Sequence, residues 1–172
     1  EAGAADDEGF RALVMSHARS LHRLAYRMTR NEQDAEDVVQ EALLKAYRGL
    51  DRFENRSELS TWLHRITTNC AYDLLRKRVR RAEDDLPETD SEADAITSSL
   101  LSTTPGPDQT AHASDIRRRV NASMERMSAT ERTAFVLRHF EGHTLEHIGA
   151  TLGISLAATK QCVFRAVRKV RQ

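Results

Sequence analysis

The chain has 172 residues, and 26 Lys and Arg balance 26 Asp and Glu, so its formal net charge is zero. Two cysteines, Cys70 and Cys162, stand too far apart to form a disulfide framework and suit a reducing, cytoplasmic setting. No apolar run nears the roughly 18 residues of a membrane span, and the acidic, small residues 1–9 predict no secretory leader.

The neutral total conceals three blocks. Residues 1–81 carry 15 basic and 13 acidic groups. Residues 82–115 carry 9 acidic groups and neither Lys nor Arg. Residues 116–172 carry 11 basic and 4 acidic groups. Such segregation points to segments with different partners, nucleic acid first among them for a basic block. Seven glycines, three prolines and 30% charged residues fit an all-α fold better than a β-sandwich.

Helical spacing opens the chain at Phe10, Leu13, Val14, His17, Leu21, Leu24 and Met28. A break at Thr29–Asn31 follows, and Asp34 is the expected cap of a second helix. Its inner face reads Ala35, Val38, Val39, Ala42, Leu43, Ala46, Tyr47 and Leu50, and its outer face Asp37, Gln40, Glu41 and Leu44. After the polar stretch Asp51–Ser60, Ser60 is the expected cap of a third helix, with Trp62, Leu63, Ile66, Cys70 and Leu74 on one side. Three such helices can enclose one small core. Five of the six residues 76–81 are basic.

Residues 82–115 lose the periodicity and hold all three prolines, Pro87, Pro105 and Pro107. Their composition predicts a flexible acidic linker, with room for a short helix around Glu92–Leu101. The expected division is therefore 1–81, 82–115 and 116–172: two small helical domains and a tether.

Spacing resumes at Ile116, Val120, Met124 and Met127. Ser128, with Glu131 three residues on, reads as a capping box for a helix through Phe140 that Gly142 ends. Residues 144–171 then read as a helix-turn-helix. Leu145, Ile148 and Leu152 face inward on its first helix, and Gly149 permits a close crossing. Gly153 suits a left-handed terminal residue, and Ser155 caps the second helix. Thr159, Val163, Ala166 and Val170 face inward. Lys160, Phe164, Arg165, Arg168, Lys169 and Arg171 remain outside. A helix fits the major groove, and flanking cations neutralise phosphates. The plain alternative is a solvated basic helix in a helical hairpin. The basic run 76–81 follows Trp62, His64, Arg65, Asn69 and Tyr72, types suited to stacking on and bonding to extruded bases. A core role for Trp62 is the competing reading.

Taken in order, "DAEDVVQEALLKAYRGLDRF", "STWLHRITTNCAYDLLRKR" and "MSATERTAFVLRHFEGHTLEHIGATLGIS" resemble a bacterial sigma factor of the extracytoplasmic-function group in the sigma-70 family. The resemblance implies transcription initiation and stress-response regulation by a specificity subunit of RNA polymerase, not an enzyme in its own right. It implies a sigma-two bundle of three or four helices and a sigma-four helix-turn-helix. It implies partners too: core RNA polymerase, promoter DNA and an anti-sigma factor, with no small-molecule substrate, cofactor or metal. Asp37, Gln40, Glu41 and Leu44 fall on the polymerase-docking face. The loop Phe53–Ser60, with Trp62, Arg65, Asn69, Asp73, Arg76, Lys77, Arg78, Arg80 and Arg81, falls on the surface that opens and reads the −10 element. Ser155, Thr159, Lys160, Phe164, Arg165, Arg168 and Lys169 fall on the −35 reader. There the chain departs from the family's usual Ser-Glu-Gly-Thr-Val-Lys-Ser-Arg. It reads Ser155-Leu156-Ala157-Ala158-Thr159-Lys160-Gln161-Cys162, so the base preference does not transfer.

The 34 residues of the linker reach about 110–120 Å extended and about 30–35 Å as a coil, against about 60 Å between the two elements. Its charge suits either a basic polymerase channel such as the RNA exit path or an inert tether. His139, His143 and His147 recur every fourth residue, but Gly142 interrupts the helix that would align them on a metal. Two other classes compete. One is a decoy that binds an anti-sigma protein and no promoter, in which basic surfaces would be expected to decay. The other is a recombinase-like enzyme, for which no catalytic constellation is present.

Overall fold

A computed structural model describes residues 2–50, 59–84 and 111–172. Every element among them is a helix: α1 (Ala2–Thr29), α2 (Glu32–Gly49), α3 (Leu59–Asp84), α4 (Ala111–Glu125), α5 (Ala129–His139), α6 (Leu145–Leu152) and α7 (Leu156–Arg171). The all-α expectation holds. The chain divides into two compact units, Glu1–Leu74 and Leu75–Gln172, and the division falls within α3. No described helix is long and apolar enough to cross a membrane.

In the first unit, the α1 stripe buries Leu21, Leu24, Ala25 and Met28. Opposite it α2 buries Ala35, Val38, Ala42 and Ala46. Alanine at three of those four positions keeps the helices close. Leu63 of α3 joins Leu21 and Ala46, with Phe10, Val39, Leu43, Trp62 and Ile66 packed around them.

The junction between α1 and α2 corrects one expectation. Arg30 adopts the left-handed region at φ 58°, and Asn31 caps α2, its side chain accepting the Asp34 amide at 3.0 Å. Asp34 is the third helical residue, buried, where a carboxylate meets the positive end of the helix dipole. Two other positions also differ. Tyr47, expected inward, is 53% exposed and meets Phe10 edge-on at 5.3 Å. Ser60, expected as a cap, lies inside α3.

In the second unit, the capping box forms as expected. The Ser128 hydroxyl accepts the Glu131 amide at 3.2 Å, and the Glu131 carboxylate accepts the Ser128 amide at 3.1 Å. Arg132 is buried and donates to the Met124 carbonyl at 3.0 Å and the Met127 carbonyl at 3.3 Å. It thereby supplies donors to carbonyls at and just past the end of α4. Ile116, expected on the apolar face of α4, is exposed, while Met124 and Met127 are buried. After α5, Gly142 at φ 71° reverses the chain, and the His143 amide donates back to Leu137 at 2.9 Å. Thr144 caps α6 through the His147 amide.

Helix also reaches into both ends of the predicted linker, to Asp84 and from Ala111. The rest of that stretch, Glu92–Leu101 included, and residues 53–58 of the expected −10 loop lie outside the described residues.

Candidate nucleic-acid interface

The C-terminal site starts from a glycine. A Cβ on Gly149 would lie 2.8 Å from the Thr159 hydroxyl and 3.0 Å from the Ile154 carbonyl oxygen. Only a bare α-carbon admits α7 this close. Gly153, at φ 68°, ends α6, and the Ile154 amide returns to the Gly149 carbonyl at 3.0 Å. Both features complete a left-handed helix stop. Ser155 then caps α7 by accepting the Ala158 amide at 3.2 Å.

This crossing decides which α7 side chains are available. Thr159 is 0% exposed, and its hydroxyl donates to the Ser155 carbonyl at 2.9 Å. Its expected contact with DNA is therefore corrected: the helix-helix seam encloses it. Lys160, Phe164, Arg165 and Arg168 are exposed, as is Ser155, whose hydroxyl serves the cap. Lys169 is corrected in part. Its ammonium holds the Glu131 carboxylate at 2.6 Å, and Glu131 is buried. Glu131 thus closes the α5 cap and anchors α7 together, a link sequence spacing did not reveal. A Lys169→Gln change is expected to cost about 1–3 kcal/mol of stability, because a buried carboxylate loses a charged partner. Arg168→Gln should instead leave stability unchanged and lower the salt dependence of the expected DNA binding by about one phosphate contact. Denaturation midpoints and binding titrations across salt separate the two.

On α3, Arg65, Asn69 and Asp73 are exposed and recur at every fourth residue, so they share a face. Arg76, Lys77, Arg78, Arg80 and Arg81 are exposed further along the same helix. Trp62 is half-buried against the first unit's core. A Cβ on Gly49 would meet its ring at 3.3 Å. The expected stacking role is thereby reduced: one side of the indole belongs to the fold. His64, also half-buried, pairs its Nε2 with the Ser20 hydroxyl at 2.9 Å.

On α2, Asp37, Gln40, Glu41 and Leu44 are all exposed, Leu44 by 54%. Gln33 donates to Asp37 at 3.4 Å, and Lys45 pairs with Glu41 at 3.3 Å. Lys45 also donates to the Cys70 sulfur at 3.5 Å. Burial pushes the Cys70 thiol above its ordinary pKa, and the opposing pull of Lys45 does not cancel it. Burial also pulls the Lys45 ammonium down, but Cys70 and Glu41 outweigh it and leave it raised. A protonated, enclosed thiol is a poor nucleophile. In the folded chain, Cys70 is expected to react with a disulfide reagent at least tenfold more slowly than half-buried Cys162, and urea should abolish the difference.

The three histidines are separated by the turn. The His139 ring lies 4.7 Å from Phe135, and burial there lowers its pKa. His143 and His147 stack on each other with centroids 4.6 Å apart. Among the described residues no three His, Cys, Asp or Glu side chains gather in a metal-binding group.

Residues 13–81 match the family described as Sigma-70 region 2, and residues 123–172 match Sigma-70, region 4. The ECF RNA polymerase sigma factor SigE of Mycolicibacterium smegmatis is 35% identical over 159 residues, 92% of this chain. The chain spans 59% of the length of that relative. The RNA polymerase sigma-H factor of Pseudomonas aeruginosa is 32% identical over 165 residues, covering 94% of this chain and 83% of that protein. Among solved structures, the sigma factor RpoE in complex with the anti-sigma factor NepR from Bartonella quintana superposes with a TM-score of 0.64. The two are 27% identical, and the match covers 95% of each chain.

Proposed function

The chain belongs to the sigma-70 family, within its extracytoplasmic-function group, and from that membership we propose that it directs core RNA polymerase to a set of promoters in the cytoplasm. The observation that carries this reading is the α6–α7 crossing. It turns outward a helix that carries no carboxylate and exposes Lys160, Arg165, Arg168 and Arg171. That face enters the major groove of the −35 element, with Lys160, Arg165 and Arg168 flanking it on phosphates.

The exposed face of α2 docks on polymerase through Asp37, Gln40, Glu41 and Leu44. The Arg65–Asn69–Asp73 face of α3 holds bases of the −10 element that have left the stack. Extrusion costs a few kcal/mol, offset by contacts to the freed base edge. Arg76, Lys77, Arg78 and Arg80 hold the backbone alongside. Asp73 would repel phosphate, so it meets a base donor or no DNA group at all. The acidic stretch of residues 82–115 tethers the two readers. The chain itself carries out no chemistry; polymerase supplies it. An anti-sigma protein is the natural regulator, by analogy with the RpoE–NepR pair. The decoy reading is disfavoured by the exposed cations on both α3 and α7.

Reconstitution with core polymerase tests this reading. Promoter-dependent transcription on supercoiled template should appear with the chain and vanish without it. Binding to an anti-sigma protein with no open complex on any template would sink the proposal.

A further inference from the structure

The first turn of α7 does not look like a reader of polar base edges. It holds no acidic residue. Its outward positions are Leu156, 40% exposed, and Ala157, also exposed. Leu156 stands one turn before Lys160, and Ala157 one turn before Gln161. The apolar pair is thus the leading edge of a helix whose following turns are cationic and amide-bearing.

An exposed leucine on such a helix has a restricted choice of partner. Pressed into the major groove, it strips water from base donors and acceptors without replacing their hydrogen bonds. One base edge in that groove is apolar, the C5-methyl of thymine. Recognition helices present their first residues to base edges, so the leading edge is where this choice matters. The cap strengthens the case. Ser155 accepts the Ala158 amide at its hydroxyl oxygen, which holds that side chain at the cap. Thr159, the other hydroxyl of the turn, is buried. Gln161 then suits an adenine edge, which pairs with thymine.

We infer that Leu156 and Ala157 read thymine methyl groups in the upstream promoter element, so that this chain selects an A·T step there by apolar contact. The inference deepens the proposed −35 function and rests on it. The occupant of this apolar edge is duplex DNA because the same helix face carries Lys160, Arg165 and Arg168 and no carboxylate.

The test uses the holoenzyme. Upstream sequences are first selected from a randomised pool, and thymines in the winner are then replaced one at a time by deoxyuridine, which lacks only the methyl. One position or two adjacent positions should weaken binding about fourfold per methyl, the value of one buried methyl-sized group. Leu156→Gln should bind the thymine duplex more weakly and lose the discrimination between thymine and uracil at one of those positions. Leu156 is exposed, so the variant should keep wild-type helicity, which circular dichroism checks. Salt-dependent promoter binding that ignores every methyl overturns the inference and leaves the proposed function intact. Absence of promoter binding by the holoenzyme overturns both.

Discussion

Gly149→Val is expected to destabilise the C-terminal unit by about 3 kcal/mol, the upper end of what overpacking a closed seam costs. The cause is geometric. Even a Cβ at this position would sit 2.8 Å from the Thr159 hydroxyl and 3.0 Å from the Ile154 carbonyl. The hydroxyl is itself committed to the Ser155 carbonyl at 2.9 Å, so it cannot rotate away freely. The carbonyl belongs to the turn and cannot yield without shifting α7. Gly149→Ala meets the same Cβ clash but gains about 1 kcal/mol of helix propensity, so its net loss should be smaller than valine's. Adding Thr159→Ala to Gly149→Ala removes the nearer obstacle. The double variant should therefore be more stable than the two single losses predict.

Trp62 makes the measurement selective. It is the chain's one tryptophan and sits in the first unit. Its fluorescence transition in denaturant should stay where it is in Gly149→Val. The helical signal should acquire an early phase from the second unit, and upstream-element binding should fall with it. Coincident transitions at the wild-type midpoint would mean the crossing tolerates a side chain.

The parts that sequence made legible are those with local causes. The bounds of α7, the Ser128–Glu131 box, the Ser155 cap and the glycine stop at Gly153 each follow from residues within a turn of one another. The misplaced parts were decided at a distance. Asn31 and Asp34 are both good caps, and the choice fell to where α1 could stop, with Arg30 left-handed at φ 58°. Lys169 reads as one more cation on a basic helix until Glu131, 38 positions earlier, is found beneath it. Arg132 carries no expectation at all, yet its guanidinium bonds carbonyls at the end of α4. Thr159 shows the limit differently. Its inward register was visible in the helical period, and the family pattern argued for DNA; burial against Gly149 settles it for the fold.

Asn69→Ala is expected to reduce strand opening at the −10 element by about ten- to a hundredfold, while affinity for core polymerase stays within about twofold. The magnitude is that of one amide lost from a base edge, about 1–3 kcal/mol. The separation of effects comes from placement. Asn69 is exposed on α3, in the middle of the Arg65–Asp73 face, and supports no core packing. The proposed polymerase face is on α2, a different helix. Removing the amide should therefore leave docking alone. An amide both donates and accepts, which is what discriminates one extruded base from another. Asn69→Asp should be worse than alanine. It keeps the acceptor and loses the donor, and it places a second carboxylate one turn from Asp73 in a site bordered by phosphates. Arg65→Ala offers the contrast, with a loss that shrinks as salt rises if its partner is phosphate. Permanganate reactivity of unpaired thymines reads the opening, and a core-polymerase titration reads the docking. Equal loss of both in Asn69→Ala would mean that this face of α3 meets polymerase, and the assignment of the −10 reader would have to move elsewhere on the chain.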